Sequence, residues 1–321
     1  MDLLSVILRD VRLESVVLSF ADFHAPWGFA KDPVGGAPFH IVTEGRAFLE
    51  IDRFDAVELI AGDLLIVPKG IAHALVSEPG GPRVPFYDLL RASEAEPDRS
   101  PSNPVRRLGR WRAGGDGPRA RVVNGVFRFP GSRPNHLIRA LPEVMVVRGR
   151  LRQGPAWLDG IIGQIVEEAA REEPGFQAII ERFADIIFVQ AVRASIAADP
   201  AIGPNWLRGL RDGHIARALA LIHADPSRRW TVAALAREAG LSRSVFSNRF
   251  RTTVGSTVMD YVGETRMDLA EALLAGSQKP LTEIALDVGY DSEISFSRAF
   301  RRWADTPPGQ YRRNARAAAG S

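Results

Sequence analysis

Residues 232–255 read VAALAREAGLSRSVFSNRFRTTVG, and the fold of the C-terminal third follows from them. Leu235, Ala236 and Ala239 recur at helical spacing. Gly240 and Leu241 interrupt that pattern, and Ser242 offers an N-cap hydroxyl to a second helix. The second helix buries Phe246 and Phe250, four residues apart, and exposes Arg243, Ser244, Ser247, Asn248 and Arg251. The pattern predicts two helices joined by a tight turn, with a small alanine where they cross. The outer face carries donors suited to phosphates and base edges.

The pattern recurs in residues 281–306, LTEIALDVGYDSEISFSRAFRRWADT. Ile284 and Ala285 answer Leu235 and Ala236, and Gly289 answers Gly240. After one inserted residue in the turn, Phe296-Ser297-Arg298-Ala299-Phe300-Arg301 answers Phe246-Ser247-Asn248-Arg249-Phe250-Arg251. Tyr261 and Tyr311 also fall in register. A tandem repeat with matched turn and core residues is far more specific than one copy. Residues 257–275 between the repeats form one helical pattern ended by Gly276, and residues 214–224 predict a helix that packs under the first repeat. At about 1.5 Å per residue the linking helix spans roughly 28 Å. That length sets two recognition helices near one DNA turn apart, about 34 Å.

The chain has 321 residues, long for one domain and comfortable for two. Its hydrophobic fraction of 45% is enough for packed cores. It has no cysteine, which removes disulfides and thiolate metal sites and suits a reducing cytoplasm. Residues 1–211 hold 26 of the 41 basic and 26 of the 38 acidic residues. The last 110 residues therefore carry the whole formal charge of +3, as a nucleic-acid module would. Asp2, Arg9 and Asp10 hem the first apolar run, which reads as an amphipathic helix and not a signal peptide. No apolar run approaches the roughly 18–20 residues that cross a bilayer, so no membrane partner is expected.

The N-terminal third has a strand texture. Residues 16–20, 39–42, 47–51, 56–60, 64–68 and 73–76 are short strand candidates, with a break at residues 25–28. Such spacing indicates a small β-barrel or sandwich. Residues 91–117 are rich in Pro, Ser, Gly, Arg and acids and predict a long loop. Residues 121–129 return as a strand or hairpin. Two amphipathic helices follow, one with Trp157, Leu158, Ile161, Ile162, Ile165, Val166 and Ala169, the other with Phe176, Ile179, Ile180, Phe183, Ile187 and Phe188. Their wide stripes fit packing on the barrel or against a second copy, and a homodimer is expected. Residues 199–204, DPAIGP, are a linker candidate.

Residues 62–73, GDLLIVPKGIAH, have the spacing G-x5-P-x-G-x2-H, and residues 40–45, HIVTEG, precede them. Together they resemble the paired motifs of the cupin superfamily, with Pro38 where that family's first histidine stands. The resemblance implies His40, Glu44 and His73 as metal ligands, with one ligand missing. Three ligands still hold Zn²⁺ or a similar divalent ion with an open position. The alternative is that His40 and His73 are core or ligand-contacting histidines without metal, and His24 is a further candidate lining residue.

The order helix, helix-turn-helix, linking helix, helix-turn-helix resembles the DNA-binding domain of the AraC/XylS transcription regulators. Ala285-Leu286-Asp287-Val288-Gly289-Tyr290, Phe296-Ser297-Arg298-Ala299-Phe300 and Pro307-Pro308-Gly309-Gln310-Tyr311-Arg312 carry it, with Asp305 where the family has glycine. The resemblance implies base contacts at Arg243, Ser244, Ser247 and Asn248 in the first repeat, and at Glu293, Ser295 and Arg298 in the second. Arg251, Arg301 and Arg302 are expected on phosphates, which position the protein without reading sequence.

These readings give an α+β multidomain chain. Residues 1–150 form a cupin-like β-barrel sensor, 151–204 a helical dimerisation and linker segment, and 205–321 an all-α tandem helix-turn-helix domain. The expected function is a cytoplasmic, sequence-specific transcription regulator, not an enzyme. A small-molecule effector is expected at His24, His40 and His73, and the expected partners are promoter DNA and RNA polymerase. One rival is a regulator with a vestigial barrel, controlled by a protein partner or by expression level. Another is a metal-dependent cupin enzyme with a DNA-binding tail.

Overall fold

The computed structural model describes residues 13–92, 109–129, 136–198 and 205–319, together with Leu4. The chain divides into two compact units. The first comprises Leu13–Phe129 and Leu141–Ala198 and is built on two sheets. Its strands are β1 (Glu14–His24), β2 (Gly28–Lys31), β3 (Ala37–Glu44), β4 (Arg46–Ile51), β5 (Phe54–Ile60), β6 (Leu64–Ile66), β7 (His73–Val76), β8 (Val84–Pro85), β9 (Gly109–Gly114), β10 (Arg119–Arg128) and β11 (Met145–Val147). The six-stranded sheet runs β11-β6-β3-β10-β1-β9, and the five-stranded sheet runs β5-β4-β7-β2-β8. Each strand expected between residues 16 and 76 forms. Strand β9 is a difference, since it lies inside the stretch whose composition predicts a loop. It pairs parallel to β1 over Ser19–His24, so tertiary pairing overrides a weak local signal.

The two sheets enclose an apolar core that includes Phe23, Trp27, Phe29, Leu49, Phe86 and Val122. Helix α1 (Phe86–Ala92), which the sequence reading did not contain, packs against β2, β8 and β9. Strand β8 is one edge of its sheet and β9 one edge of the other. Helix α1 thus covers an open side of the sandwich and seals it with Phe86.

A bulge decides which side chains enter this core. The β1–β10 register shifts between Val17 and Ser19. Beyond the shift, Ser19, Ala21 and Phe23 are buried while Phe20 and Asp22 turn outward. Before it, Ser15 points to the other face, where its hydroxyl donates to Asp185 at 2.5 Å. That outer face is covered by α4 (Phe176–Ala198), and α3 (Ala156–Arg171) packs on α4. Phe188 of α4 packs at a tilt against Phe127 of β10, with ring centroids 5.0 Å apart. Both amphipathic helices form as expected, and they group with the sheets.

The second unit is helical. Its C-terminal part contains α5 (Trp206–Gly209), α6 (Gly213–Ala224), α7 (Val232–Glu238), α8 (Arg243–Val254), α9 (Val258–Gly276), α10 (Leu281–Asp287), α11 (Glu293–Ala304) and α12 (Pro308–Ala319). Helices α7 and α8 are the first helix-turn-helix, α10 and α11 the second, and α9 joins them. The unit also takes up α2 (His136–Ala140), a segment the sequence reading places in the N-terminal domain. Leu137 and Ile138 are buried, and Arg139 contacts both carboxylate oxygens of Asp268 on α9 at 3.3 Å. The Asn205 amide donates to the Ala140 carbonyl at 3.2 Å. The N-terminal helix and the linker at residues 199–204 lie outside the described residues, apart from Leu4. Among the described residues, no helix is long and apolar enough to cross a membrane.

Candidate DNA-reading surface and sensor cleft

Each recognition helix begins at the cap its sequence offers. The Ser242 hydroxyl accepts from Val245 N at 3.4 Å, and the Ser292 hydroxyl from Ser295 N at 3.2 Å. In each motif the first helix ends on a left-handed glycine, with φ +69° at Gly240 and +81° at Gly289. Leu241 N donates back to Ala236 O and Gly240 N to Arg237 O, both at 3.0 Å; Tyr290 N and Gly289 N repeat both bonds at 2.8 and 2.9 Å. This paired closure satisfies carbonyls that the helix end leaves free. It also sets the angle at which the second helix leaves.

Matching aromatic triads hold the recognition helices. Phe246 and Phe250 lie 5.7 Å apart, and Phe250 meets Tyr261 edge-on at 5.7 Å. Phe296 and Phe300 lie 5.8 Å apart, and Phe300 meets Tyr311 edge-on at 5.5 Å. All six rings are buried. The Tyr261 hydroxyl lies 2.8 Å from His223 Nε2, and the Tyr311 hydroxyl bonds to the buried Glu271 carboxylate.

The opposite faces point to solvent. Arg243, Ser244, Asn248 and Arg251 are exposed on α8, and Ser295, Arg298, Arg301 and Arg302 on α11. Among the described residues, none of these five arginines has a carboxylate within 4.0 Å, so their guanidiniums are uncommitted. Arg249, by contrast, is paired with Asp212 at 2.5 Å. Ser247 and Glu293 are half-buried, and the Ser247 hydroxyl already donates to Arg243 O at 2.9 Å. The Ser295 hydroxyl donates to Ser292 O at 2.9 Å. Two aliphatic side chains absent from the sequence candidates also stand out on these helices. Val245 is 51% exposed and Ile294 67% exposed.

The barrel interior holds a polar chain. The His40 Nδ1 atom lies 2.7 Å from the Asn124 amide, and His40 Nε2 lies 3.0 Å from His73 Nε2. The His73 Nδ1 atom donates to Ile71 O at 2.8 Å, and the Asn124 amide lies 3.1 Å from the Ser19 hydroxyl. Two neutral rings satisfy all four contacts when the amide presents its N–H to His40 and its oxygen to Ser19, its two ends having the same shape. Burial holds the His40 pKa well below its ordinary value, with Lys31 and His73 adding to the effect. Burial also brings His73 down to about 4. Lys31, over the Phe86 ring at 4.0 Å, is pushed down to about 7 by burial.

This arrangement does not fit the metal set expected from the cupin motifs. The two Nε2 atoms are engaged with each other, and Glu44 is not brought to them. Strand register explains the difference. Arg121 pairs with Glu44 and Val122 with Val42, so Thr43 is skipped and the strand changes face. Glu44 turns outward, 3.3 Å from Arg121 Nε. Among the described residues, no three His, Cys, Asp or Glu side chains converge as metal ligands. The expected effector set is not brought together either. His40 and His73 are buried in the barrel, while His24 lies half-buried at the end of β1 with its Nε2 3.9 Å from Asp22.

A cleft of about 1450 Å³ lies instead on the outer face of the six-stranded sheet, beside α3. Phe20, Asp22, Arg112 and Arg121 line it from the sheet, and Ile162 and Val166 from α3. Arg119 grips both oxygens of Asp22, with Arg112 and Arg121 at 3.8 and 3.9 Å. The Arg119 hydrogen bond outweighs partial burial and holds the Asp22 carboxyl below its ordinary pKa.

Fold and site together define a sheet domain with a cleft, joined to a helical module with two exposed basic reading faces. A family model described as Cupin matches residues 2–197, and one described as Helix-turn-helix domain matches residues 235–314. The HTH-type transcriptional regulator AlkR of Acinetobacter baylyi (strain ATCC 33305 / BD413 / ADP1) is 29% identical, over 97% of this chain and 99% of its own. A putative AraC-like transcription regulator of Streptomyces lividans is 29% identical over 90% of each chain. The solved DNA-binding domain of AdpA, a global transcriptional factor in complex with a target DNA, is 30% identical. That match covers 33% of this chain and 96% of the domain, with a TM-score of 0.32. The chain belongs to the AraC family of DNA-binding transcription regulators, in the group that carries an N-terminal cupin domain. The rival expectation of an enzyme is set aside, since relatives matching nearly the whole chain are named as regulators.

Proposed function

We propose that this regulator is effector-controlled, reads a bipartite promoter site with α8 and α11, and works as a homodimer in the cytoplasm, where its DNA is. The observation that carries the reading is the set of five uncommitted arginines on the two recognition faces. Arg243, Ser244 and Asn248 in α8, and Glu293, Ser295 and Arg298 in α11, face base edges. Ser247 and Ser295 contribute less, because each hydroxyl already donates to a backbone carbonyl of its own helix end. Arg251, Arg301 and Arg302 hold phosphates, and RNA polymerase is the partner at the bound promoter.

The effector occupies the outer cleft beside α3. The cleft supplies both an apolar wall and charged groups, while the barrel interior is filled by aromatic side chains and the histidine chain. Exposed Ile179 and Ile186, seven residues apart on α4, support dimerisation through the helical pair. Effector binding then shifts the population of sensor states and, with it, DNA affinity. Genome-wide occupancy of the wild type against Arg298→Ala tests the DNA reading: discrete sites should appear and fade in the variant. Occupancy that is diffuse, or unchanged by the substitution, would contradict it.

A further inference from the structure

The two recognition faces differ at one position whose chemistry the regulator assignment leaves unexplained. In α8, Ser244, Asn248 and Arg251 stand at i, i+4 and i+7; in α11, Ile294, Arg298 and Arg301 hold the same places. The spacing puts each set on one helix face. Ile294 is 67% exposed and takes no part in the core cluster around Phe296 and Phe300. Isoleucine is also a weaker helix former than the lysine, glutamine or arginine that would suit a solvated position. A single exposed aliphatic residue is ordinary on a protein surface. What sets Ile294 apart is its register, one turn before an uncommitted arginine and on the same face.

We propose that Ile294 is a specificity-determining residue that packs against the 5-methyl group of a thymine beside the base read by Arg298. The inference rests on the reading that α11 lies in the major groove. There, thymine alone presents a methyl group. Isoleucine has no donor or acceptor, so opposite adenine, guanine or cytosine it would cover a polar edge and leave it unpaired. The four steps from Ile294 to Arg298 rise about 6 Å, and base pairs stack about 3.4 Å apart. The thymine therefore falls within two base pairs of the guanine that Arg298 prefers. The first repeat has Ser244 at this place, whose hydroxyl suits any base, so the two half-sites differ in sequence.

The test selects duplexes from a random pool with the full chain, then replaces each thymine of the bound sequence in turn with uracil. This removes only the methyl group. One thymine in the second half-site, within two base pairs of the guanine whose preference Arg298→Ala relaxes, should lose about threefold to fivefold in affinity. Ile294→Ala should bind the thymine and uracil duplexes equally, and Ile294→Val should keep part of the difference. The proposal is overturned if no thymine is selected there, if uracil costs nothing, or if Ile294→Ala keeps the full uracil penalty. Arg298→Ala that left the guanine preference intact would overturn the groove reading itself, a different failure.

Discussion

In the first repeat Gly240 turns the chain in open space, and an added Cβ there meets nothing within 4 Å. In the second, Gly289 makes the same left-handed turn with a Cβ position 2.4 Å from the Ser227 carbonyl oxygen and 2.9 Å from the Arg266 guanidinium. Arg266 is itself fixed, donating from Nε to Pro226 O at 2.8 Å and from Nη2 to Arg228 O at 3.0 Å. One turn is free and the other is wedged against the chain that leads into the first repeat. The starts differ as well. Helix α7 is capped by the Thr231 hydroxyl at 3.1 Å, whereas α10 starts at Pro280 without a side-chain cap. At the far ends, Gly255 closes α8 with φ +87°, and Asp305, its register partner, closes α11 with φ +55°. The repeats therefore share a backbone plan and a buried triad, while each surface has its own constraints. A duplicated fold need not have duplicated tolerances.

The largest effect that would break this comparison is expected at Gly289. Gly289→Ala should cost the helical unit about 2–4 kcal/mol, adding a backbone clash to an unfavourable φ. Urea unfolding followed by tryptophan fluorescence measures it, and a loss no greater than that of Gly240→Ala would contradict the wedge. Next, Arg298→Ala should weaken DNA binding by about 1–3 kcal/mol and relax the choice of one base pair. If Asn248→Ala relaxed the same base pair, the two helices would not be reading separate half-sites. Gly240→Ala follows, at about 1 kcal/mol of stability from φ alone. Smallest, and opposite in sign, Asp305→Gly should stabilise by about 0.5–1 kcal/mol, since glycine adopts this conformation without a Cβ penalty. A destabilised Asp305→Gly would show that the Asp305 side chain has a role in that turn.

What the sequence discloses and what it hides follow the range of the interactions. The tandem motif is legible because caps, turn glycines and the Phe–Phe spacing act within about a dozen residues. Even the tyrosines fit, since Tyr261 and Tyr311 keep the register of the repeat and both close on the second phenylalanine. The reading faces are legible for the same reason, though a search for donors passes over Ile294. The sheet domain is less legible. A strand bulge sends Glu44 away from His40, and no local signal marks the skipped Thr43. Asn124 meets His40 across 84 positions, and Arg139 meets Asp268 across 129. Strand β9 lies in a Pro- and Gly-rich stretch whose composition points to a loop, and only its pairing with β1 makes it a strand. The cleft is lined on one side by Ile162 and Val166, which as a sequence pattern read only as a packing stripe.

The central claim is that both recognition helices enter DNA, each in its own major groove and on unlike half-sites. Hydroxyl-radical protection of a bound duplex by the full chain tests it most directly. The account predicts, for each chain bound, two protected patches on one face of the helix, about 10 base pairs apart, with different sequences beneath them. A single patch per chain, or two patches over repeats of one sequence, would contradict it.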